Sequence, residues 1–294
     1  MGFLSGLFGP KKPKVVVPII DIKKRFDLLG RMGQGSMSKV WRARDGKIGR
    51  VVCLKILDPI KTAKFDARFP GLIKPSEGAI CMTLHHKNVV KTFEHAATKQ
   101  REPFLVMELI EGDGLNFQIE TRSPKLQGNR VNLLIQIADG LEYIHAQKYL
   151  HRDLCPRNIM VTQEGVVKII DFGLTIPYTT EFCRPGNRTG TADYLAPELI
   201  KRVVTDHRVD LFALGVTAYE TFLGTLPWEK ARGSMEILQK HLNVPGRDPR
   251  DVQPKLEPEL VQFLLKGIDR DRDKRFQTAG EFREALKALP RQDY

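Results

Sequence analysis

The chain has 294 residues, of which 41% are hydrophobic and 28% charged, a composition that excludes a long disordered polypeptide. The formal net charge of +12 favours acidic partners, but no short segment combines dense Lys and Arg with interleaved aromatic residues, so no specific nucleic-acid partner is expected. The four cysteines are scattered and form no Cys-x-x-Cys pair, which argues against a disulfide framework or a zinc site and fits a reducing, cytoplasmic location.

Residues 1–24 are predicted to form a flexible tail with one extended piece over residues 15–20, because its prolines argue against a helix. No apolar run approaches the roughly 20 residues that a bilayer span requires. Apolar residues followed by lysines near the start allow a weak membrane contact through this tail, although a loose tail is the favoured interpretation.

Residues 26–110 are predicted to be mainly strands, because short β-branched or apolar runs such as Val51–Leu57 and Phe104–Ile110 are bounded by Gly, Asp and Pro. One helix is predicted over Ser76–His85. Prolines before it indicate a short helix that starts near Pro75, since proline is tolerated only in the first turn.

After a break at residues 111–114, the pattern becomes helical. A hairpin over Arg157–Ile170 turns at Glu164 and Gly165. Strands followed by helices predict an α+β protein with two lobes joined near residues 109–114. Apolar spacing predicts helices over Val131–His145, Leu211–Phe222, Glu259–Ile268 and Ala279–Leu289.

Two segments of the strand-rich region suggest phosphate binding. Residues 33–40 contain Gly33 and Gly35, and glycines let backbone amides approach a triphosphate closely, although such turns are common in other proteins. Lys55 lies in an apolar strand, where its ammonium requires an anion because an unpaired buried charge is costly. Glu77 is the only acid in the segment leading to His86, so it and nucleotide phosphates are the candidate partners.

Two further segments carry carboxylates at the two ends of the predicted hairpin. Asp153 precedes the hairpin and Asn158 lies at its start, both within the segment 151–158, and Asp171 begins the Asp-Phe-Gly run that follows it. Such side chains can converge on metal ions and on a hydroxyl nucleophile. Capping or turn roles explain each acid singly but explain the set poorly.

In this order and spacing, the segments resemble the protein kinase family, in particular the eukaryotic-like serine/threonine kinase catalytic domain, from Phe26 to Leu289. The segment 190–198 resembles the end of an activation segment, and Arg275 stands where the family pairs an arginine with Glu198. The resemblance implies a two-lobed α+β fold with a small, mainly antiparallel N-lobe carrying one regulatory helix and a larger helical C-lobe. The implied catalytic domain spans residues 25–290, with an N-lobe over 25–109, a hinge over 110–113 and a C-lobe over 114–290.

The resemblance also implies roles for the site residues. Asp153 would accept the hydrogen bond of the substrate hydroxyl, while Asp171 and Asn158 would bind Mg²⁺, with Mn²⁺ as an alternative ion. Lys55 would contact the ATP phosphates, paired with Glu77. ATP would further contact Gly33, Gly35, Ser36, Val40, the gatekeeper Met107 and the backbone of Glu108 and Ile110.

The sequence departs from the family pattern at two places. Ser38 replaces the third loop glycine, which predicts a modest effect on nucleotide affinity. Cys155 occupies the position where serine/threonine kinases usually carry a lysine, and Arg157 is the candidate to supply that charge. Pro156 and the 190–191 segment favour serine or threonine over tyrosine as the acceptor, and Thr191 is placed to bond Asp153.

Arg152 precedes the catalytic Asp, and in the family such an arginine often binds a phosphate on the activation segment. This predicts autophosphorylation, with acceptors among Thr175, Thr179, Thr180 and Thr189. Cys183 is expected to be exposed in the activation segment and open to oxidation. His151 is expected to pack below the catalytic loop.

The alternatives are a pseudokinase that binds nucleotide or partners without turnover and a small-molecule kinase of related fold. Retention of Lys55, Asp153, Asn158 and Asp171 argues against the first. The segment 190–198, which builds a peptide-docking shelf in the family, argues against the second. The substrate protein, the oligomeric state and whether the chain is full length stay open.

Overall fold

A computed structural model of the chain describes residues 17–34, 38–229 and 233–294. The chain divides into two compact units, Met1–Thr83 with Thr92–Leu109, and Leu84–Lys91 with Ile110–Tyr294. Among the helices in the described ranges, none has both the length and the apolar character needed to cross a membrane.

The first unit is built on a six-stranded sheet with the strand order β1-β5-β6-β4-β3-β2. β1 pairs with β5 in parallel, and the other neighbours are antiparallel. Its strands are β1 (Ile19–Ile20), β2 (Phe26–Gln34), β3 (Ser38–Asp45), β4 (Arg50–Leu57), β5 (Thr92–Thr98) and β6 (Pro103–Glu108), and its helices are α1 (Ile22–Arg25), α2 (Pro59–Asp66) and α3 (Glu77–Cys81).

Successive side chains of these strands point to opposite faces of the six-stranded sheet. Val52 and Leu54 of β4 pack with Phe104 and Val106 of β6 in one buried cluster. Lys55, the next residue along β4, points to the opposite face. The sheet therefore separates an apolar core from the face that carries the site lysine.

The second unit contains a three-stranded sheet in the order β10-β9-β7, a two-stranded sheet of β11 and β8, and most of the helices. Helix α7 is buried nearly all round, as expected for a helix that is apolar on every side. The strands are β7 (Gly112–Gly114), β8 (Tyr149–Leu150), β9 (Ile159–Thr162), β10 (Val167–Ile169) and β11 (Ile176–Pro177), and the helices are α4 (Leu115–Glu120), α5 (Arg130–Ala146), α6 (Pro197–Ile200), α7 (Arg208–Leu223), α8 (Ser234–Asn243), α9 (Pro258–Gly267) and α10 (Ala279–Lys287). Short 3₁₀ helices cover Pro124–Leu126, Pro156–Asn158, Ala192–Tyr194 and Pro249–Asp251.

The four long C-terminal helices and the hairpin are confirmed within one to three residues at each end. Three predictions are wrong in detail. Helix α2 lies in a region predicted as strands, where Asp58 caps it by accepting from the N–H groups of Ile60 and Lys61. Helix α3 ends at Cys81 and not at His85, and residues 112–114 form a strand paired with β9. Helix α8 was not anticipated.

Residues 17–24 lie within the predicted tail, and the structure gives this region a strand, Ile19–Ile20, and a helix that ends at Arg25. Ile19 and Ile20 pair with Ala97 and Thr98, and Arg25 makes ion pairs with Asp45 and Glu94. These contacts attach the segment to the sheet. The predicted membrane-contacting residues lie in 1–16, outside the described residues.

Candidate active site

The ion pair between Lys55 and Glu77 is present in the first unit. Lys55 Nζ donates to Glu77 Oε1 at 2.5 Å, and both side chains are buried. Ser76 begins the short helix by accepting from the N–H of Ala79, which places Glu77 in the first turn. The pair satisfies two charges that would each be costly to bury alone.

A second buried lysine lies close to this helix. The Lys74 ammonium donates to the Pro75 carbonyl at 3.2 Å, lies 3.8 Å from Asp66 Oδ1 and stacks over the ring of Phe65. Burial lowers the pKa of Lys74, although Asp66 and Glu77 oppose that shift. Lys74 therefore links the end of α2 to the segment that enters α3, a contact that was not predicted from the sequence.

The remaining nucleotide-site candidates of the first unit lie on neighbouring strands. Val40 of β3 is opposite both Gly33 and Lys55, so these positions form one row across the sheet. Met107 is buried opposite Cys53, and Glu108 ends β6 opposite Val52. Ser38 is buried at the start of β3, Ile110 belongs to the second unit, and Gly35 and Ser36 lie outside the described residues.

In the second unit, Asp210 of α7 anchors the catalytic loop. Its carboxylate accepts from the backbone N–H groups of His151 and Arg152 at 2.8 Å each, and His145 Nε2 lies 2.9 Å from Oδ2. Burial alone would raise the pKa of Asp210, but the hydrogen bonds and nearby histidines lower it. The anchored loop holds Arg152 at a φ of 68°, a conformation that L-residues adopt only when their surroundings impose it.

The Asp153 carboxylate is held from two sides. Oδ1 accepts from the backbone N–H and the hydroxyl of Thr191, both at 2.8 Å, as the sequence predicted. Oδ2 accepts from Asn158 Nδ2 at 3.1 Å. Arg157 is exposed, and its Nη2 lies 3.5 Å from the Thr191 hydroxyl, so a guanidinium stands one side chain away from Asp153. Cys155 is buried, and its thiol cannot supply a positive charge beside Asp153.

The hairpin brings Asn158 and Asp171 to the same end. Ile159 is opposite Ile169, and the N–H of Ile170 donates to the Asn158 carbonyl at 2.9 Å. Asp171 follows at a φ of 62°, and its Oδ1 accepts from the N–H of Gly173 at 3.1 Å.

These donors suit a hard cation. The side-chain nitrogen of Asn158 donates to the backbone carbonyl and the carboxylate of Asp153. The side-chain oxygen of Asn158, Oδ1, is therefore the atom left for a metal ion, and Mg²⁺ prefers such oxygen ligands. The described residues contain no group of three or more His, Cys, Asp and Glu side chains that could hold a metal ion. An ion here would therefore rely on phosphate and water oxygens as well, which is usual for Mg²⁺ bound with a nucleotide.

Arg152 is a buried cation whose side-chain hydrogen bonds go to neutral groups. Its Nη2 donates to the Asn187 carbonyl at 3.5 Å and to the Thr189 hydroxyl at 3.4 Å, while its Nε has no hydrogen-bond partner among the described residues. Both side-chain amide atoms of Asn187 are likewise buried without partners there. Burial lowers the pKa of Arg152, opposed by Asp210.

One ion pair and one hydrogen bond hold the segment 190–198 in place. Arg275 is buried and makes a bidentate pair with Glu198 at 2.8 Å on each nitrogen, which confirms the predicted pairing. The same guanidinium donates to the backbone carbonyls of Asp269, Arg208 and Arg270. Tyr194 donates its hydroxyl to Glu220 of α7, a contact that the sequence did not indicate.

Of the remaining predictions for single residues, that for His151 is confirmed and that for Cys183 is wrong. His151 is fully buried, its N–H bonded to Asp210 and its ring packed edge-on against Phe172, so its packing role is confirmed. The prediction for Cys183 is wrong, because the residue is only 3% exposed and burial raises the pKa of its thiol. The four cysteines, all within the described residues, form no disulfide.

Comparison with known proteins agrees with this geometry. The family model described as protein kinase domain matches residues 26–288. The chain is similar to a probable serine/threonine-protein kinase of Clostridium perfringens, 32% identical over 260 residues, which cover 87% of this chain and 37% of that protein. It is 30% identical over 283 residues to a serine/threonine-protein kinase of Myxococcus xanthus, covering 92% of this chain and 39% of the relative. An aurora kinase of Candida glabrata is 32% identical over 241 residues, covering 79% of this chain and 65% of the relative.

The strand-rich unit with its buried Lys55–Glu77 pair and the helical unit with its loop anchored by Asp210 agree with the match to a protein kinase domain. The chain belongs to the protein kinase family. It spans well under half of the length of the two bacterial relatives named above.

Proposed function

We propose that this protein transfers the γ-phosphate of ATP to serine or threonine hydroxyls of protein substrates. The observation that carries the proposal is the Asp153 carboxylate, fixed by Thr191 and Asn158 on a loop anchored to Asp210. A carboxylate held in this way is suited to orient a hydroxyl and to accept its proton as the phosphorus–oxygen bond forms.

The other residues act by positioning and by charge. Lys55, oriented by Glu77, contacts the α- and β-phosphates, and the backbone at Gly33, Gly35 and Ser36 covers them. Val40 and Met107 line the adenine pocket, and the backbone of Glu108 and Ile110 bonds the adenine ring. Asn158 and Asp171 hold Mg²⁺ or Mn²⁺, which neutralises phosphate charge when bound.

Arg157 supplies the cation that Cys155 lacks. Its guanidinium lies 3.5 Å from the Thr191 hydroxyl, which in turn donates to Asp153. A phosphoryl group passing to that hydroxyl carries negative charge over its oxygens, which a guanidinium stabilises.

The proposal includes autophosphorylation of the activation segment. A phosphate on Thr189 would give the buried Arg152 the charged, bidentate partner that it lacks among the described residues. Thr175 is a weaker acceptor because its hydroxyl is buried and lies 3.4 Å from the His151 carbonyl, to which it donates. Thr179 and Thr180 are exposed, and among the described residues the side-chain hydrogen bonds of Arg152 go to Asn187 and Thr189 instead.

The test is turnover of Mg-ATP with a generic basic protein, followed by phosphoamino-acid analysis, beside the Asp153→Asn variant. We expect phosphoserine or phosphothreonine with the parent chain and none with the variant. Equal signals would show a contaminating kinase, and nucleotide binding without any turnover would identify a pseudokinase. Mass spectrometry of the same reaction locates the activation-segment phosphate, and an unmodified segment in active enzyme would exclude autophosphorylation.

A further inference from the structure

Helix α3 approaches the sheet of the first unit most closely at Gly78. A Cβ built on Gly78 would lie 2.2 Å from both Cγ and Cδ2 of His95 and 2.7 Å from its Nδ1, whereas real Cβ atoms essentially never come within 3.0 Å of a neighbour. The φ of Gly78 is not in the left-handed region, so space and not backbone conformation requires a glycine here. The contacted atoms belong to the body of the imidazole ring, which cannot yield as the end of a flexible chain would.

The sheet register explains why this contact bears on the catalytic lysine. His95 of β5 is opposite Leu105 of β6, and Leu105 is opposite Lys55 of β4. Residues directly opposite each other share a face, so His95 and Lys55 project from the same side of the sheet, two strand spacings or about 10 Å apart. Helix α3 lies on that side, because Glu77 reaches Lys55.

Successive residues of α3 therefore contact the two ends of one row. Glu77 bonds Lys55 on β4, and Gly78 rests on His95 on β5. The His95 ring sets how near the helix axis comes to the sheet, and that distance decides whether the short Glu77 side chain meets the ammonium at 2.5 Å.

We propose that Gly78 and His95 form a seat that fixes the height of helix α3 above the sheet and thereby the Lys55–Glu77 contact. Both are positioning residues, since neither touches nucleotide or substrate in this scheme. The catalytic consequence rests on the proposed kinase function, but the structural consequence does not.

A methyl group at Gly78 must displace the helix or the ring by about 1 Å to reach an ordinary contact distance. A displacement of that size near a catalytic group lowers rates by up to about 10²-fold. We therefore expect Gly78→Ala to lower kcat by about 10- to 100-fold. Removing the His95 ring removes the clash, so Gly78→Ala/His95→Ala should recover most of the activity that Gly78→Ala loses.

The link to the ion pair is tested by a second combination. In a Glu77→Gln background the pair is already weakened, so adding Gly78→Ala should lower kcat by much less than it does in the parent chain. A merely structural glycine would give the same fold-loss in both backgrounds. Gly30→Ala is the matched control, because a Cβ there has no neighbour within 4 Å.

The same variants are compared by urea unfolding midpoint, which does not depend on turnover. We expect Gly78→Ala to lower the midpoint, the double variant with His95→Ala to restore it in part, and Gly30→Ala to leave it near the parent value. If the parent chain shows no turnover, the proposed function fails and the midpoints alone decide this inference. The proposal would be overturned if Gly78→Ala caused as large a loss in the His95→Ala background as in the parent chain. It would also be overturned if Gly78→Ala lowered kcat by the same factor with and without Glu77→Gln. Should Gly78→Ala fail to fold, a folded but inactive double variant would overturn it equally.

Discussion

Thr191 donates both its backbone N–H and its hydroxyl to one oxygen of Asp153, at 2.8 Å in each case. Thr191→Val keeps the shape and the N–H but removes the hydroxyl. Because a hydrogen bond to a charged group contributes roughly 1.5–3 kcal/mol, we expect kcat to fall by about 10- to 100-fold. Steady-state kinetics with Mg-ATP measures the change.

Thr191→Ser is the matched control for this prediction, since it restores a hydroxyl at the same carbon. Its kcat should lie within a few-fold of the parent value. Equal losses in the Val and Ser variants would show that the methyl contact, and not the hydrogen bond, carries the effect.

Arg157 is the only basic side chain within hydrogen-bond distance of the Thr191 hydroxyl in the described residues. We expect Arg157→Ala to lower kcat by about 10²-fold with little change in the KM for ATP, because the lost charge acts on the transferring phosphoryl group. Arg157→Lys should recover part of the loss, and Arg250→Ala, at an exposed pair with Asp248, should change neither constant. Unchanged turnover in Arg157→Ala would remove the proposed role.

The Arg275–Glu198 pair should matter for stability more than for chemistry. Arg275→Met leaves the buried Glu198 carboxylate without its bidentate partner, a change that typically costs about 3–5 kcal/mol of unfolding free energy. Urea unfolding should show this loss. Adding Glu198→Gln to Arg275→Met should cost little more, because the unpaired charge is then gone. Equal midpoints for parent and Arg275→Met would contradict the prediction.

Candidate site residues of the second unit could be proposed from the sequence because their spacing along the chain is itself local. Asn158 and Asp171 lie at the two ends of one hairpin, and the position of its turn at Gly165, with a φ of 79°, fixes their approach. The apolar spacing of helix α5 likewise needs no distant partner. Such features can be read from residues that are near one another in the chain.

Distant pairings that the family resemblance did not supply were missed, in contrast to the Arg275–Glu198 pair that it did supply. Asp210 anchors a loop whose residues lie 59 and 58 positions earlier, and the Gly78–His95 contact requires the strand register of β5, β6 and β4. Helix α2 escaped prediction for a different reason. Only Phe65 in it is buried and Ile60 is 79% exposed, so it has no apolar stripe to detect.

His241 gives the molecule a pH-dependent stability. The residue is 1% exposed, its Nδ1 lies 2.9 Å from the Leu195 carbonyl, and its ring packs against that of Trp228 at an interplanar angle of 38°. Burial lowers the pKa of His241 below 6.5, although the Leu195 carbonyl and Asp193 oppose the shift.

A histidine whose pKa is lower in the folded state binds its proton more readily when unfolded. Its contribution to stability is therefore complete above pH 6.5 and is lost as the pH falls from there towards the folded-state pKa. The slope is at most about 1.4 kcal/mol per pH unit for one proton. His86 and His95, whose pKa values burial also lowers, add to it.

Urea unfolding of the parent chain should show a lower unfolding free energy at pH 5.5 than at pH 7.5. His241→Asn removes one titrating group, so its unfolding free energy should depend less steeply on pH over this range, even though the variant is less stable at pH 7.5. His85→Gln, at an exposed position, is the matched control and should keep the parent slope. If His241→Asn and the parent chain lost stability in parallel, the buried imidazole would not be the group that titrates. Because the Leu195 carbonyl adjoins the segment that carries Asp193 and Tyr194, the protection factors for amide hydrogen exchange there should be lower at pH 5.5 than at pH 7.5 in the parent chain, once the slower intrinsic exchange at the lower pH is taken into account.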